Sequence, residues 1–385
     1  MSPPVATAPP VTAVAPVTVS PGTLTVSSPS GEGDDDDPSP IAAALIGWHQ
    51  RHGRHDLPWQ REPTPYRVWV SEVMLQQTQV ATVIGYYERF MQRFADVRAL
   101  ADAPLDEVLH LWSGLGYYSR ARNLQRAAQR IVAEHAGELP DDVADLERLP
   151  GIGRSTAAAI VALSHDRPAT ILDGNVRRVL SRFFGVGGEP SERATQQLLW
   201  RHAEACTPQR QAALYTQAVM DLGATLCTRR RPQCLRCPLS AGCVAYRSGR
   251  IEEFPPVRRR AARPQRQLVL LLAVRADGGV LLRRRPPQGV WAALWAPPEF
   301  DSIEAAAAFC AARLAAPVLD PAPLPAVRHV FTHFELTMTP LRAGCAGTSP
   351  GVMEDDGVLW YNPRQPARIG LPAPIAALLA RLAGA

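Results

Sequence analysis

The sequence predicts two folded parts, a mainly α-helical region over residues 40–250 and a smaller mixed α/β domain over 267–385. Three observations carry this. Apolar residues recur at three- and four-residue spacing through the first part, as in Leu105, Val108, Leu109 and Trp112, and later Leu198 and Leu199. A Pro- and Arg-rich stretch then reads as a linker over 251–266. After it the texture changes to an apolar run at 268–274, the turn Asp277-Gly278-Gly279 and a second run at 280–282, which reads as two strands and a tight turn. A chain of 385 residues is long enough for two cores.

Taken in order, residues 1–39 come first: rich in Pro, Ala, Val, Thr and Ser, they close on the acidic run Asp34 to Asp37. Lacking the basic start of a secretory signal, they predict a disordered tail. No stretch resembles a membrane span.

Within the helical region, Leu149-Pro150-Gly151-Ile152-Gly153-Arg154-Ser155-Thr156-Ala157 lies between helical patterns at 143–149 and 155–163. Gly151 and Gly153 allow a tight turn whose backbone N–H groups, with that of Ile152, face outward at the positive end of a helix dipole. This is a helix-hairpin-helix signature and a phosphate cradle.

The densest chemical signal is Cys227, Cys234, Cys237 and Cys243, spaced C-x6-C-x2-C-x5-C. Four thiols so close predict a shared metal. Zinc sites more often pair two C-x2-C units or mix Cys with His, whereas one such pair flanked by single cysteines suits a [4Fe-4S] cluster. Zinc stays as the alternative. Between Cys227 and Arg266 lie eleven arginines against Glu252 and Glu253, in a chain whose net charge is only +5. That loop is the local positive pole and predicts a surface that meets a phosphate backbone. Cys206, Cys310 and Cys345 read as buried small apolar residues. Free thiolates suit a reducing compartment, so a cytoplasmic location is expected, associated with the nucleoid if the source is bacterial.

The hairpin, Leu172-Asp173-Gly174-Asn175-Val176 and the cysteine run together resemble the helix-hairpin-helix DNA glycosylase superfamily in its endonuclease III branch. Ser71 to Val80 and Gly114-Leu115-Gly116-Tyr117-Tyr118 are similar to the adenine DNA glycosylase (MutY) family within it. The resemblance implies removal of adenine mispaired with 8-oxoguanine or guanine from double-stranded DNA, by a monomer. Breaking an N-glycosidic bond needs a proton for the leaving base and negative charge near the sugar cation. Glu72 and Asp173 are the candidates. On a helix Glu72 has Val68, Trp69 and Leu75 one turn away, so desolvation should raise its pKa and keep a proton available. Asp173 also reads as a helix cap, a role compatible with catalysis because helix N–H bonds keep a carboxylate ionised.

The resemblance further implies that Asn175 orients Asp173, and that Ser155 stands where strand-cutting relatives carry an amine. All 41 basic residues are arginine, so Schiff-base chemistry through a lysine side chain is excluded. By the same resemblance Gln77 and Tyr117 insert into the helix, Thr78 and Leu115 lie beside the orphaned base, and Leu57, Trp59, Gln217 and Met220 form the adenine pocket. The second domain resembles the Nudix-like domain of these enzymes. Arg285-Pro286-Pro287 to Trp291, Trp295-Ala296-Pro297 and Phe331-Thr332-His333 fit it, with Thr332 and His333 as readers of 8-oxoguanine and a threonine where serine is usual. Residues 302–312 hold only Glu304 as a carboxylate, which excludes a metal-binding Nudix box. Two other readings remain, an endonuclease III-like pyrimidine glycosylase and a non-enzymatic metal-loop DNA-binding protein.

Overall fold

The computed structural model describes residues 38–256, 262–315, 317–320, 323–348 and 357–384. The predicted tail up to Asp37 and the linker arginines Arg258, Arg259 and Arg260 lie outside the described residues.

Among the described residues twelve α-helices precede the sheet, many started by the residue types that satisfy free helix amides. Helix α1 (Pro40–His52) is capped by Ser39 and α2 (Pro65–Leu75) by Thr64, each followed by proline at the first helical position. Then come α3 (Val80–Arg93), α4 (Val97–Ala101, capped by Asp96), α5 (Leu105–Trp112), α6 (Ser119–Glu134) and α7 (Val143–Glu147, capped by Asp142). The hairpin turn leads into α8 (Arg154–His165), followed by α9 (Gly174–Phe184), α10 (Arg193–Cys206), α11 (Ala212–Thr225) and the short α12 (Val244–Arg247). Trp69, Met74, Phe90, Phe94, Trp112 and Ile160 fill the core where these helices meet.

The second part is a mixed sheet. Strand β1 (Gln265–Arg275) hairpins with β2 (Val280–Arg284) through Gly278, which sits at φ +84°. Short strands β3 (Trp295–Ala296) and β4 (Glu299–Phe300) lead to α13 (Ile303–Arg313), then β5 (Leu314–Ala315), β6 (Val318–Leu319), β7 (Val327–Val330), β8 (Glu335–Cys345), β9 (Gly347–Thr348), β10 (Val358–Tyr361) and α14 (Ala373–Gly384). The main path runs β10-β2-β1-β8-β6, with β1 and β8 parallel from Gln265↔Glu335 to Arg275↔Cys345. The unbroken apolar run in β1 has a cause: Leu270 and Leu272 face one core, and Leu271 and Ala273 face the other, so both faces are covered. Cys206, Cys310 and Cys345 are buried, as expected. Among the described residues no helix is long and apolar enough to cross a membrane.

The sheet domain docks on α5 and α6. Trp295 Nε1 donates to Asp106 Oδ1 at 3.0 Å, Arg284 pairs with the same carboxylate, and Tyr118 Oη donates to Leu371 O at 3.0 Å. Gly370 is pressed so closely that a Cβ there would lie 2.5 Å from Leu109 Cβ. Trp295 thus serves attachment, while Trp291 is buried inside the sheet domain against His329 and Phe331.

Candidate active site

Glu72 sits near the end of α2, between the buried Ser71, Val73 and Met74, with Trp69 one turn before it. Its side chain is half-buried. Burial, with the nearby Asp173 carboxylate adding to it, pushes its pKa from 4.5 up to about 7. Asp173 is the N-cap of α9, its Oδ1 accepting from Val176 N at 2.7 Å. The sequence predicted a carboxylate held ionised by helix amides. The amides of Val176 and Asn175 are in place, but burial outweighs them and moves its pKa upward.

Of two neighbours, one gains a structural role and the other departs from expectation. Ser155 Oγ accepts from Leu172 N at 2.9 Å, so its oxygen anchors the chain one residue before Asp173. Asn175 turns its side chain away: Oδ1 accepts from Arg178 Nη2 at 2.8 Å, and only its backbone amide favours the Asp173 carboxylate. Arg178 also donates to Cys227 O at 2.7 Å, and Arg182 donates to Thr228 O at 2.7 Å and to Cys227 Sγ at 3.4 Å. Helix α9 therefore carries Asp173 at one end and grips the cysteine loop along its length.

Cys227, Cys234, Cys237 and Cys243 line one cavity together with Arg182, Leu226, Tyr246 and Ile251. Burial first, and the neighbouring thiols after it, raise the pKa of Cys234 and Cys243, and that of Cys237 reaches about 11. A metal binding there would have to displace those protons. Among the described residues no three Cys, His, Asp or Glu side chains converge as a single ion's ligands do. The four thiols nevertheless share that one cavity. Arg229, Arg230, Arg231 and Arg236 stand exposed on this loop around Leu235, itself 90% exposed.

At the hairpin, Gly151 has φ +79° and a Cβ there would lie 2.7 Å from Asn123 Cβ, so no other residue fits. Gly153 is the N-cap of α8 with no side-chain cap, which leaves the first amides of the helix free for an anion. Ile152 is different: its side chain is buried and its N–H bonds to Leu149 O at 3.2 Å. Its expected outward amide is used up inside the turn.

The residues expected to read the bases occupy two turns of the helical region and the β7–β8 tip. Gln77 (φ +59°) and Tyr117 (φ +48°) are exposed, while Leu115 is buried. Leu115 packs inward because the two glycines beside it, Gly114 at φ +105° and Gly116 at φ +73°, reverse the chain and leave Tyr117 facing out. Thr78 is partly buried, its Oγ1 accepting from Arg120 Nη2 at 3.2 Å. Thr332 and His333 are exposed at the β7–β8 tip, where Thr332 Oγ1 lies 3.3 Å from Tyr117 Oη. Tyr117 and the sheet domain's tip thus meet.

For the pocket, Leu57 and Trp59 are buried, and Gln217 and Met220 lie on α11. Asp221, missed in the sequence, lies one turn after Gln217 on the same helix. Fully buried, it accepts from Arg54 N at 2.8 Å and Arg54 Nε at 3.0 Å, and lies 3.2 Å from His49 Nε2. Burial would raise its pKa, but hydrogen bonds from His49 and Arg54 outweigh that and hold it down. Gln217 Nε2 donates to its Oδ1 at 3.0 Å. A carboxylate only accepts, so the amide must turn its NH2 inward and its carbonyl away. The i, i+4 spacing of Gln217 and Asp221 was the available signal.

A helix-hairpin-helix scaffold with two coupled carboxylates and a thiol-lined loop defines the base-excision class. Residues 70–205 match the family described as "HhH-GPD superfamily base excision DNA repair protein", and residues 269–381 match "NUDIX domain". The chain is 36% identical over 335 residues to an adenine DNA glycosylase of Buchnera aphidicola subsp. Acyrthosiphon pisum, covering 87% of this chain and 95% of that one. It is 37% identical over 371 residues to one of Mus musculus, covering 76% and 68%. A solved thermostable thymine-DNA glycosylase superposes with a TM-score of 0.50 at 26% identity, covering 54% of this chain and 95% of that one. The chain belongs to the adenine DNA glycosylase family.

Proposed function

We propose that this chain removes adenine mispaired with 8-oxoguanine or guanine from double-stranded DNA, hydrolysing the N-glycosidic bond without cutting the strand. The observation that carries it is Glu72, whose carboxyl holds its proton to about pH 7 beside a second carboxylate, Asp173. With adenine extruded from the stack, Glu72 gives its proton to a ring nitrogen and the C–N electron pair leaves with the base. Asp173, ionised at that stage, faces the sugar cation. Water adds to the sugar carbon and returns a proton to Glu72, leaving an abasic site. Gln217, its amide set by Asp221, offers a carbonyl oxygen to an amino group of the base.

The four cysteines would hold a [4Fe-4S] cluster, which when bound supplies the four metal–sulfur links that fix the arginine loop against DNA. Gly151, Gly153 and the free amides of α8 would take a phosphate; Gln77 and Tyr117 would enter the helix, with Thr78 and the turn around Leu115 beside the partner base. The protein acts as a monomer in the cytoplasm, at the nucleoid if the source is bacterial.

The test is incubation with a duplex carrying one A:8-oxoguanine pair, followed by alkali. Strand breaks should require the alkali, and borohydride added during reaction should trap no covalent complex, because the chain has no lysine. Excision of a damaged pyrimidine instead would favour the endonuclease III-like reading. A second expectation concerns His333, exposed at the β7–β8 tip. His333→Ala should lower the ratio of excision rates on A:8-oxoguanine and A:G by about 5- to 100-fold, the effect of one base contact, and an unchanged ratio assigns lesion reading elsewhere.

A further inference from the structure

Arg120, the second residue of α6, is a buried arginine with no ion-pair partner among the described residues. A buried charge is costly unless its hydrogen-bonding capacity is met. Here backbone oxygens meet most of it. Nη1 donates to the carbonyls of Val73 at 2.8 Å, Met74 at 2.9 Å and Gln76 at 2.6 Å. Nη2 donates to Thr78 Oγ1 at 3.2 Å, Gly116 O at 3.2 Å and Leu115 O at 3.4 Å. The guanidinium lies 5.4 Å from the Trp112 ring and 5.6 Å from the Tyr117 ring.

The pattern of acceptors is informative. Val73 and Met74 are among the last residues of α2, whose carbonyls have no partner inside the helix. A cation there also suits the negative end of the helix dipole. Gln76 and Gly116 each directly precede a non-glycine residue in the left-handed region, Gln77 and Tyr117. Such residues persist only where the surroundings force them. One planar group grips the peptide before each of them, and both side chains are the exposed ones in their turns.

We propose that Arg120 is a positioning residue that locks two separate turns into a single wedge, presetting Gln77 and Tyr117 to enter the DNA helix before it arrives. This rests on the reading of the chain as an enzyme that extrudes a base. Free turns would have to be ordered during binding, at a cost in affinity and rate. Lysine cannot replace Arg120, because a single ammonium with three donors does not span six oxygens on two turns.

A double-mutant cycle tests it in the full chain. Its corners are wild type, Arg120→Lys, the pair Gln77→Ala with Tyr117→Ala, and all three together. One readout is single-turnover adenine excision from an A:8-oxoguanine duplex. The other is the fluorescence of a 2-aminopurine placed beside the mispair, which reports opening of the stack without needing excision. Arg120→Lys and the wedge pair should each lower the rate and the opening signal by about 10-fold or more, and the triple variant should be no worse than the poorer of the two. Losses that multiply would show Arg120 acting independently of the wedge and overturn the proposal, as would wild-type opening in Arg120→Lys. If Arg120→Lys does not fold, Thr78→Val takes its place, removing one of the six acceptors, with the same non-additivity expected. Failure of wild type to excise adenine would sink the function reading alone, since the opening signal still scores the cycle.

Discussion

Glu72→Gln should abolish adenine excision while leaving binding of the mispaired duplex intact. The amide keeps the shape of the side chain between Ser71 and Val73 but has no proton to give, and a general acid supplies roughly 10²–10⁴-fold. Single-turnover rates near wild type would remove Glu72 from the mechanism. The same residue sets the alkaline limb of activity: with its pKa at about 7, the rate should fall as pH rises past neutrality. Because Asp173 titrates against it, the measured value belongs to the pair. Stability must follow too. The folded state binds this proton more tightly than the unfolded chain, whose glutamate titrates near 4.5, so wild type loses stability as pH rises from about 4.5 to about 7. Glu72→Gln escapes that loss. It should unfold at a higher temperature than wild type at pH 8, by an amount corresponding to roughly 1–3 kcal/mol, and the two should converge at pH 4. A variant less stable than wild type at pH 8 would mean that the carboxylate is not held at a cost.

Cys237→Ser should give a colourless protein with a collapsed arginine loop. Serine matches the thiol in size but offers a hard, protonated oxygen to a soft metal site. The cysteines line a cavity held from one side by Arg178 and Arg182; without a cluster, those arginines and a few backbone hydrogen bonds such as Gln233 N to Leu226 O are left to fix the loop. Visible absorbance and bound iron should both be lost, and the melting temperature should fall. Affinity for DNA should become less salt-dependent, the slope dropping by about 0.9 for each phosphate contact that goes. Retained iron and colour would refute the ligand set, and stoichiometric zinc in wild type would refute the cluster.

What could be read from the chain was whatever a local pattern specifies. The helical spacing, the glycines of the hairpin, the cysteine run and the β1 apolar run all declare themselves within a few residues. Side-chain direction inside turns was less legible: Leu115 and Ile152 sit in glycine-marked turns that the sequence identifies, but whether each points inward depends on what packs beneath. Ser155 and Asn175 show a related difficulty, since a polar group's partner, Leu172 N or Arg178, is chosen by the fold. Long-range partners were not legible. Arg120 reaches residues 42 to 47 positions away, and Arg54 meets Asp221 across 167 positions. Nothing in an isolated arginine marks it as buried in a chain with 41 of them.

Gly370 gives the two-part architecture a mechanical meaning. Its missing side chain lets the sheet domain come to rest on Leu109 of α5, where a Cβ would lie 2.5 Å from Leu109 Cβ and 2.8 Å from Leu294 Cδ2 of its own domain. Those contacts act as a spacer gauge. They help to seat the β7–β8 tip beside Tyr117, whose Oη lies 3.3 Å from Thr332 Oγ1. Adding one methyl, as in Gly370→Ala, would push the sheet domain off Leu109 and part Thr332 from Tyr117 without altering either residue. A residue remote from both side chains would thus control whether they meet.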